Sequence, residues 1–348
     1  MSRKLLSYTA IGLILGSTAI ADVPKVAVDI APVHSLVSRV MEGVGSPKLI
    51  IPAGASPHEY SLRPSEAKSL QDADMVIWMG EDLAPWMENS IETLSKNAEV
   101  ITLLEESSTK LLDFREGALF EEHDHGENDD HDDHDDHDEH DHDKDHDDHD
   151  NHDDHDDHDH DKDHDDHDDH EDHDGHAHGE HDPHAWLSTE NAQTWLNLVA
   201  GKLSAADPEN AGVYFANAAA AREEINDLVK EVNSILEPVR GRNFVVFHDA
   251  YQYFETSFDF PAAGAISLSD ATDPSAARIA EIQDRVKDEG INCVLSEPQF
   301  NANLVETVTS GTDAKTGVID PLGLGLEPGP KLYGNLIRNM GKALAGCL

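Results

Sequence analysis

The sequence predicts an α/β protein built from two (β/α)4-type lobes with parallel sheets, joined by one long helix. Short runs rich in valine and isoleucine alternate with amphipathic stretches, a pattern that places helices on both faces of a parallel sheet. The pattern occurs twice, once on each side of an unbroken helical stretch. At 348 residues the chain is also too long for one small core, which favours two lobes.

Residues 1–21 have the pattern of a secretory signal peptide. Arg3 and Lys4 precede a mostly apolar run, and residues 19–21 (Ala-Ile-Ala) fit the small-x-small pattern of a cleavage site. We therefore expect the mature chain to begin at Asp22. An uncleaved membrane anchor is the alternative, but the run is short and contains polar residues. No other segment is long and apolar enough to span a bilayer, so the mature chain is not expected to be membrane-spanning.

The N-terminal lobe is predicted to comprise residues 22–206. Runs of β-branched residues indicate its strands, and amphipathic runs between them indicate its helices. The strands are expected at 26–30, 48–51, 75–79 and 99–103, and the helices at 33–44, 64–72, 85–95 and 189–206. Ser188 can cap the last of these helices.

A histidine- and aspartate-rich tract, residues 123–182, interrupts this lobe. It contains 20 histidines, 28 aspartates, 4 glutamates and 2 lysines. With almost no apolar side chains to bury, it is predicted to be a disordered loop. A solvated acidic spacer would not need a histidine at every second to fourth position. Because imidazole and carboxylate are both good ligands for borderline ions, we expect several weak, exchangeable sites for Zn²⁺ in this loop.

The two lobes are expected to be joined by a helix within residues 207–239. Alanines and apolar spacing indicate one continuous helix of about 28 residues, or about 42 Å, which Pro238 and Gly241 end. Residues 240–348 then form the C-terminal lobe. Its strands are expected at 244–247, 262–268, 292–296 and 316–319, and its helices at 250–256, 274–289, 303–311 and 330–345.

The net charge argues against some classes of binding partner, and the two cysteines predict a possible disulfide. The tract carries 30 of the 48 net negative charges, and the rest of the chain is still acidic. This balance argues against nucleic acids and anionic membranes as partners, since both attract basic surfaces. Export makes a disulfide between Cys293 and Cys347 an expectation, with two free thiols as the alternative.

Four histidines lie outside the tract: His34, His58, His184 and His248. The last three lie where a strand or loop gives way to a helix, and Asp320 ends a strand in the same way. Ligands of open α/β sheets gather at such loops. Without the tract, these four positions follow one another at intervals of 66, 64 and 72 residues. We therefore expect two from each lobe to meet in the cleft, where three imidazoles and a carboxylate or water would bind Zn²⁺. His34 is expected to be structural.

At these positions the chain resembles the periplasmic zinc-binding proteins of ABC importers, the ZnuA family of cluster A-I solute-binding proteins. The motifs that carry the resemblance are GASPHEYSLRP at 54–64, DPHAWL at 182–187, FHDAYQYF at 247–254 and DPLG at 320–323. The acidic His-rich loop and the positions of the two cysteines are also typical of zinc-binding members. Some of these have a glutamate directly before the first ligand, where this chain has Pro57, and Glu59 follows the histidine instead.

The resemblance implies a periplasmic protein that binds Zn²⁺ with high affinity and delivers it to a zinc ABC permease with a separate ATPase. His58, His184 and His248 would bind the transported ion, with Asp320 as the fourth ligand and Glu59 or water as alternatives. The chain has no GxxxxGK[ST] sequence for binding phosphates and is not expected to be an enzyme. We expect a monomer. A manganese-type member of the same family is the first alternative. Zinc storage or a chaperone role by the tract, and a His₃-zinc hydrolase, are the others.

Overall fold

The computed structural model describes residues 23–115, 120, 181–267, 274–300 and 302–348. The predicted signal peptide and residues 123–180 of the predicted tract lie outside the described residues. The last two residues of the tract, His181 and Asp182, are part of the described fold, and Asp182 is buried. None of the helices in these ranges combines the length and the apolar character that a bilayer crossing requires.

The first sheet has four parallel strands in the order β2-β1-β3-β4. Its strands are β1 (Val26–Val28), β2 (Lys48–Leu49), β3 (Met75–Trp78) and β4 (Glu99–Thr102), and its helices are α1 (Ala31–Val40), α2 (Pro64–Gln71) and α3 (Pro85–Leu94). Each of these helices has a proline at one of its first two positions. Proline is well tolerated there because the first N–H groups of a helix have no partner within the helix.

Two helices follow the first sheet and lead to the second. Helix α4 (Thr189–Ala206) begins after Ser188, whose hydroxyl accepts a hydrogen bond from the backbone N–H of Asn191 as predicted for a cap. A short 3-10 turn at Pro208–Asn210 then opens α5 (Ala211–Leu236). The 26 residues of α5 span about 39 Å, so the predicted long helix is confirmed.

The second sheet repeats the parallel arrangement, in the order β6-β5-β7-β8. Its strands are β5 (Phe244–His248), β6 (Gly264–Ser267), β7 (Cys293–Ser296) and β8 (Lys315–Val318), and its helices are α6 (Gln252–Phe258), α7 (Ala276–Asp288), α8 (Ala302–Thr309) and α9 (Leu332–Cys347). Cys293 and Cys347 form the predicted disulfide, with their Cα atoms 5.7 Å apart. The bridge joins the start of β7 to the end of α9. The predicted fold class, two parallel α/β sheets with a long joining helix, is therefore confirmed.

One central core runs through both lobes, while each sheet also has a separate outer core. Alternate residues of a strand point to opposite faces, so Val26 and Val28 enter the central core and Ala27 enters the outer one. Helices α1, α4, α5 and α9 all contribute to the central core. Because it is continuous, the lobes share buried apolar surface and do not form two independent cores.

Candidate metal centre

Three histidines from three separate segments meet where the strands of the two sheets end. His248 is the last residue of β5. His184 directly precedes a short 3-10 turn, Ala185–Leu187, that leads into α4. His58 lies in the loop after β2, and Trp86 Nε1 holds this loop by donating to the carbonyl oxygen of Pro57 at 2.8 Å.

The three imidazoles are close enough to share one metal ion. Each offers one ring nitrogen, and these three atoms all lie within 4.8 Å of one another. The Nε2 atoms of His184 and His248 are 3.4 Å apart. Two nitrogens bound tetrahedrally at about 2.0–2.1 Å from zinc lie about 3.3 Å apart, so this pair already has the spacing that zinc requires. The candidate nitrogen of His58 lies within 4.8 Å of the other two ligand atoms.

Two buried carboxylates determine which nitrogen of each imidazole faces the centre. Asp182 Oδ1 lies 2.7 Å from His184 Nδ1, and Glu297 Oε1 lies 2.5 Å from His248 Nδ1. A carboxylate accepts a hydrogen bond from Nδ1–H, which keeps the proton on Nδ1 and leaves the lone pair on Nε2. This is the arrangement found where a carboxylate orients a metal-binding histidine and raises its basicity.

The three histidines differ in exposure. His184 and His248 are 5% and 3% exposed, whereas His58 is only half-buried. Solvent therefore reaches the centre on the side of His58. An ion that enters or leaves along this side would meet His58 first and the two buried histidines last.

Asp320 is not among the converging ligand atoms of the structure. Among the described residues, the group that could hold a metal comprises His58, His184 and His248. Asp320 Oδ1 accepts hydrogen bonds from the N–H groups of Leu322 and Gly323, at 3.0 and 2.9 Å. Burial raises the pKa of the Asp320 carboxyl, and these backbone donors counter that shift. The prediction of Asp320 as fourth ligand thus depends on a rearrangement of its loop.

Two other residues considered above lie outside the group. Glu59, the alternative carboxylate, is exposed. His34 is buried in α1, where its Nε2 lies 3.3 Å from the carbonyl oxygen of Pro47. The position of His34 agrees with the structural role expected for it.

Several residues that support the centre were not predicted from the sequence. Glu297 follows the end of β7, as His248 ends β5, so the strand-end rule could have found it. Asp182 is the last residue of the acidic tract and the first of the DPHAWL motif, and neither pattern indicates that it orients His184. Trp186 belongs to the DPHAWL motif, but the motif does not reveal its contact: its Nε1 donates to the carbonyl oxygen of Pro321 at 2.9 Å and so links the segment of His184 to the loop of Asp320.

A half-buried cation completes the surroundings of the centre. Arg115 Nε donates to Asp249 Oδ2 at 3.0 Å, and its Nη1 donates to Glu255 Oε2 at 2.7 Å. Asp249 directly follows His248, and burial raises the pKa of both acids while Arg115 lowers it. Burial likewise raises the pKa of Asp182 to about 7. Arg115 thus neutralises acidic side chains that would otherwise repel one another beside the ligands.

Two parallel α/β lobes that share one core, with three histidines converging between the ends of their strands, define a two-lobed metal-binding protein. The profile of the family described as "Zinc-uptake complex component A periplasmic" (ZnuA) matches residues 26–347. The chain belongs to this family.

Curated relatives agree over almost the whole chain. The chain is 46% identical over 333 residues to the high-affinity zinc uptake system protein ZnuA of Brucella abortus, covering 96% of this chain and 94% of the relative. It is 47% identical to the protein of the same name from Paracoccus denitrificans, covering 96% and 95%.

Solved structures share the fold at lower identity. A crystal structure of ZnuA superposes with a TM-score of 0.67 at 18% identity and covers 94% of this chain and 99% of that chain. The solute-binding protein FpvC from Pseudomonas aeruginosa in complex with Mn²⁺ superposes with a TM-score of 0.68 at 18% identity, covering 93% and 98%. At this identity the likeness establishes the fold alone.

Proposed function

We propose that this protein captures Zn²⁺ in the periplasm with His58, His184 and His248, and delivers it to the permease of an ABC importer powered by a separate ATPase. The observation that carries the proposal is the convergence of three imidazole nitrogens within 4.8 Å from segments far apart along the chain. Two of these imidazoles are buried and are oriented by carboxylates, as metal-binding histidines are.

The relatives support both the ion and the transport role. The proteins that match at 46% and 47% identity are named for high-affinity zinc uptake, and the family description places its members in the periplasm. The signal peptide predicted at residues 1–21 is consistent with export. In this role Zn²⁺ is cargo, so the site must release it as well as bind it.

The donor set favours zinc over manganese. Neutral imidazoles suit Zn²⁺, while Mn²⁺ prefers carboxylate and water oxygens. Three nitrogen donors leave one position for an oxygen, which we assign to Asp320 or water. The predicted tract, residues 123–182, would serve as an accessory segment that collects zinc or senses its abundance.

Zinc titration of four proteins tests the proposal. They are the wild type, a deletion of residues 123–180, His248→Ala and His34→Gln. The deletion keeps His181 and Asp182 because Asp182 orients His184 and its N–H donates to the carbonyl oxygen of Leu112 at 2.9 Å. Competition with a chromophoric chelator gives the affinity, and the same titration with Mn²⁺ gives the selectivity.

We expect the wild type and the deletion to share one tight zinc site, with weaker sites in the wild type alone. His248→Ala should weaken the tight site about 100-fold or more, because loss of a ligand exceeds the 10–100-fold effect of losing a carboxylate that orients one. His34→Gln should bind as the wild type does. Tight binding that disappears with the tract would support a storage role instead. Manganese bound more tightly than zinc would indicate the manganese-type alternative.

A further inference from the structure

A tyrosine hydroxyl beside the candidate metal centre is buried without a partner. Tyr251 is 1% exposed, and within the described residues its Oη has no hydrogen bond of ordinary length and angle, although the carboxylate of Glu297 acts on it. Tyr253, in the helix that follows, differs: its hydroxyl accepts from the N–H of Leu112 and donates to the carbonyl oxygen of Asp182, both at 2.9 Å. An unpaired buried hydroxyl is destabilising and uncommon, so the one at Tyr251 calls for a functional explanation.

The surroundings of Tyr251 are those of the centre itself. Its ring approaches that of His248 edge-on, with centroids 6.3 Å apart. Burial, then the charge and hydrogen bonding of Glu297, and last the charge of Asp320 raise the pKa of the Tyr251 hydroxyl well above its ordinary value. Glu297 already accepts from His248 Nδ1 at 2.5 Å and from Gln299 Nε2 at 2.8 Å. The phenol therefore keeps its proton, and the carboxylate nearest in effect, Glu297, already serves two other donors.

We propose that Tyr251 is a positioning residue whose hydroxyl donates a hydrogen bond to the oxygen in the fourth position of bound zinc. This inference rests on the proposed function. An oxygen bound to zinc, whether from a carboxylate or a water molecule, retains lone pairs that can accept such a bond. Partners of this kind fix the orientation of a ligand and tune its basicity. Zinc binding would thus give the hydroxyl the acceptor that it otherwise lacks.

The substitution Tyr251→Phe distinguishes this role from a structural one. In the zinc-free protein, measured with chelator present, its melting temperature should equal or exceed that of the wild type because no hydrogen bond is lost. Its zinc dissociation constant should rise about three- to tenfold, as expected for one hydrogen bond to a ligand. The absorption spectrum of the Co²⁺-loaded protein should also change, because it reports on the geometry of the metal's donors.

A matched control is Tyr214→Phe. The Tyr214 hydroxyl lies on α5 and donates to Asp207 Oδ2 at 2.8 Å, outside the candidate metal centre. This variant should lower the melting temperature of the zinc-free protein and leave both the zinc affinity and the Co²⁺ spectrum unchanged. If Tyr251 acts on the bound ion, Tyr251→Phe changes zinc affinity without lowering the melting temperature, and Tyr214→Phe does the reverse.

The source of the oxygen is resolved in an Asp320→Asn background. If the Asp320 carboxylate fills the fourth position, the effect of Tyr251→Phe on zinc affinity disappears there. If water fills it, the effect persists at full size. A Tyr251→Phe protein that loses stability without zinc, but keeps wild-type zinc affinity and Co²⁺ spectrum, would overturn the inference. That result would leave the proposed function standing, whereas a wild type without a tight zinc site would refute the function itself.

Discussion

At the scale of single residues, the orientation of the imidazoles decides whether the centre can bind a metal. Asp182 and Glu297 are 1% and 2% exposed, and each lies within hydrogen-bonding distance of Nδ1 of a candidate ligand. Without them His184 and His248 would be free to rotate or to change tautomer. The buried carboxylates therefore contribute to zinc affinity although neither is expected to touch the ion.

We predict that Asp182→Ala or Glu297→Ala weakens zinc binding about 10- to 100-fold, the range typical for loss of a carboxylate behind a metal-binding histidine. Competition with a chelator at constant pH measures the change. Asp207→Ala provides the control, since Asp207 is equally buried but bonds to Asn210 and Tyr214 elsewhere. If Asp182→Ala and Glu297→Ala both bound zinc with wild-type affinity, packing alone would orient the imidazoles.

The buried His34 gives the zinc-free protein a pH dependence. Burial lowers the pKa of its imidazole below the ordinary 6.5. The unfolded chain therefore binds a proton near pH 6.5 more readily than the folded chain does. The contribution of neutral His34 to the free energy of unfolding is therefore complete above pH 6.5. It is lost as the pH falls through the lower pKa of the folded state.

We accordingly expect the His34 imidazole to lower the free energy of unfolding, from urea titrations with chelator present, as the pH falls from 7.5 to 5.5, against the opposite contribution of Asp182, whose pKa burial raises to about 7. The fall should be smaller in His34→Gln, which has no proton to gain. The three candidate ligands remain in both proteins, so their contribution cancels in the comparison. Identical pH dependence in the two proteins would exclude His34 as its source.

At the scale of elements, the ends of strands decide where function lies. β1 was predicted to reach Ile30 but ends at Val28. The side chain of Asp29 accepts hydrogen bonds from the N–H groups of Ile30 and Met79, at 2.7 and 2.6 Å, and so turns the chain towards α1. Asp29 is fully buried. Strand β1 thus ends where a side-chain carboxylate, and not a backbone carbonyl group, accepts the hydrogen bond from the neighbouring strand.

The disulfide belongs to this scale because it joins one strand to one helix. We expect Cys293→Ser with Cys347→Ser to lower the free energy of unfolding by about 4 kcal/mol, the chain-entropy value for a loop of 54 residues. Cys293 is the first residue of β7, whereas Glu297 follows the last residue of this strand. Because the bridge is at the far end of the strand from the candidate metal centre, zinc affinity should not change. Chemical denaturation and zinc titration of the same variant check both statements. Weaker zinc binding would show that the bridge also shapes the centre.

The sequence predicted most of the elements, because valine-rich strands and amphipathic helices each have their own period. It also predicted the three histidines, since each lies at the junction of a strand or loop with a helix. It could not predict Arg115, whose partners lie 134 and 140 residues further along the chain. No local pattern connects such positions; only the folded chain brings them together.

At the scale of the whole molecule, the shared core limits how the lobes can move. Helix α5 packs against α1, α4 and α9, and residues of all four belong to the central core. Gly341 of α9 lies so close to α5 that a Cβ atom there would be 2.9 Å from Val232 Cγ1. Wide hinge opening would separate these packed surfaces, so release of zinc should depend on movements of the loops that carry His58 and Asp320.

Small-angle scattering can test this rigidity on the protein without residues 123–180. We expect a radius of gyration of about 18 Å for a compact chain of this length, with and without zinc. A decrease of about 1 Å or more on adding zinc would indicate hinge closure instead. Chelator-treated protein provides the zinc-free reference.

The two chain segments that flank the insertion are joined to each other. The N–H of Asp182 donates to the carbonyl oxygen of Leu112, and Asp113 and His181 form an isolated antiparallel bridge. A peptide of almost any size can therefore be spliced between them without changing the distance that the scaffold must span. The natural insert could be exchanged for a fluorescent or affinity module at this position. In evolution, the insert could lengthen or shorten by single residues for the same reason.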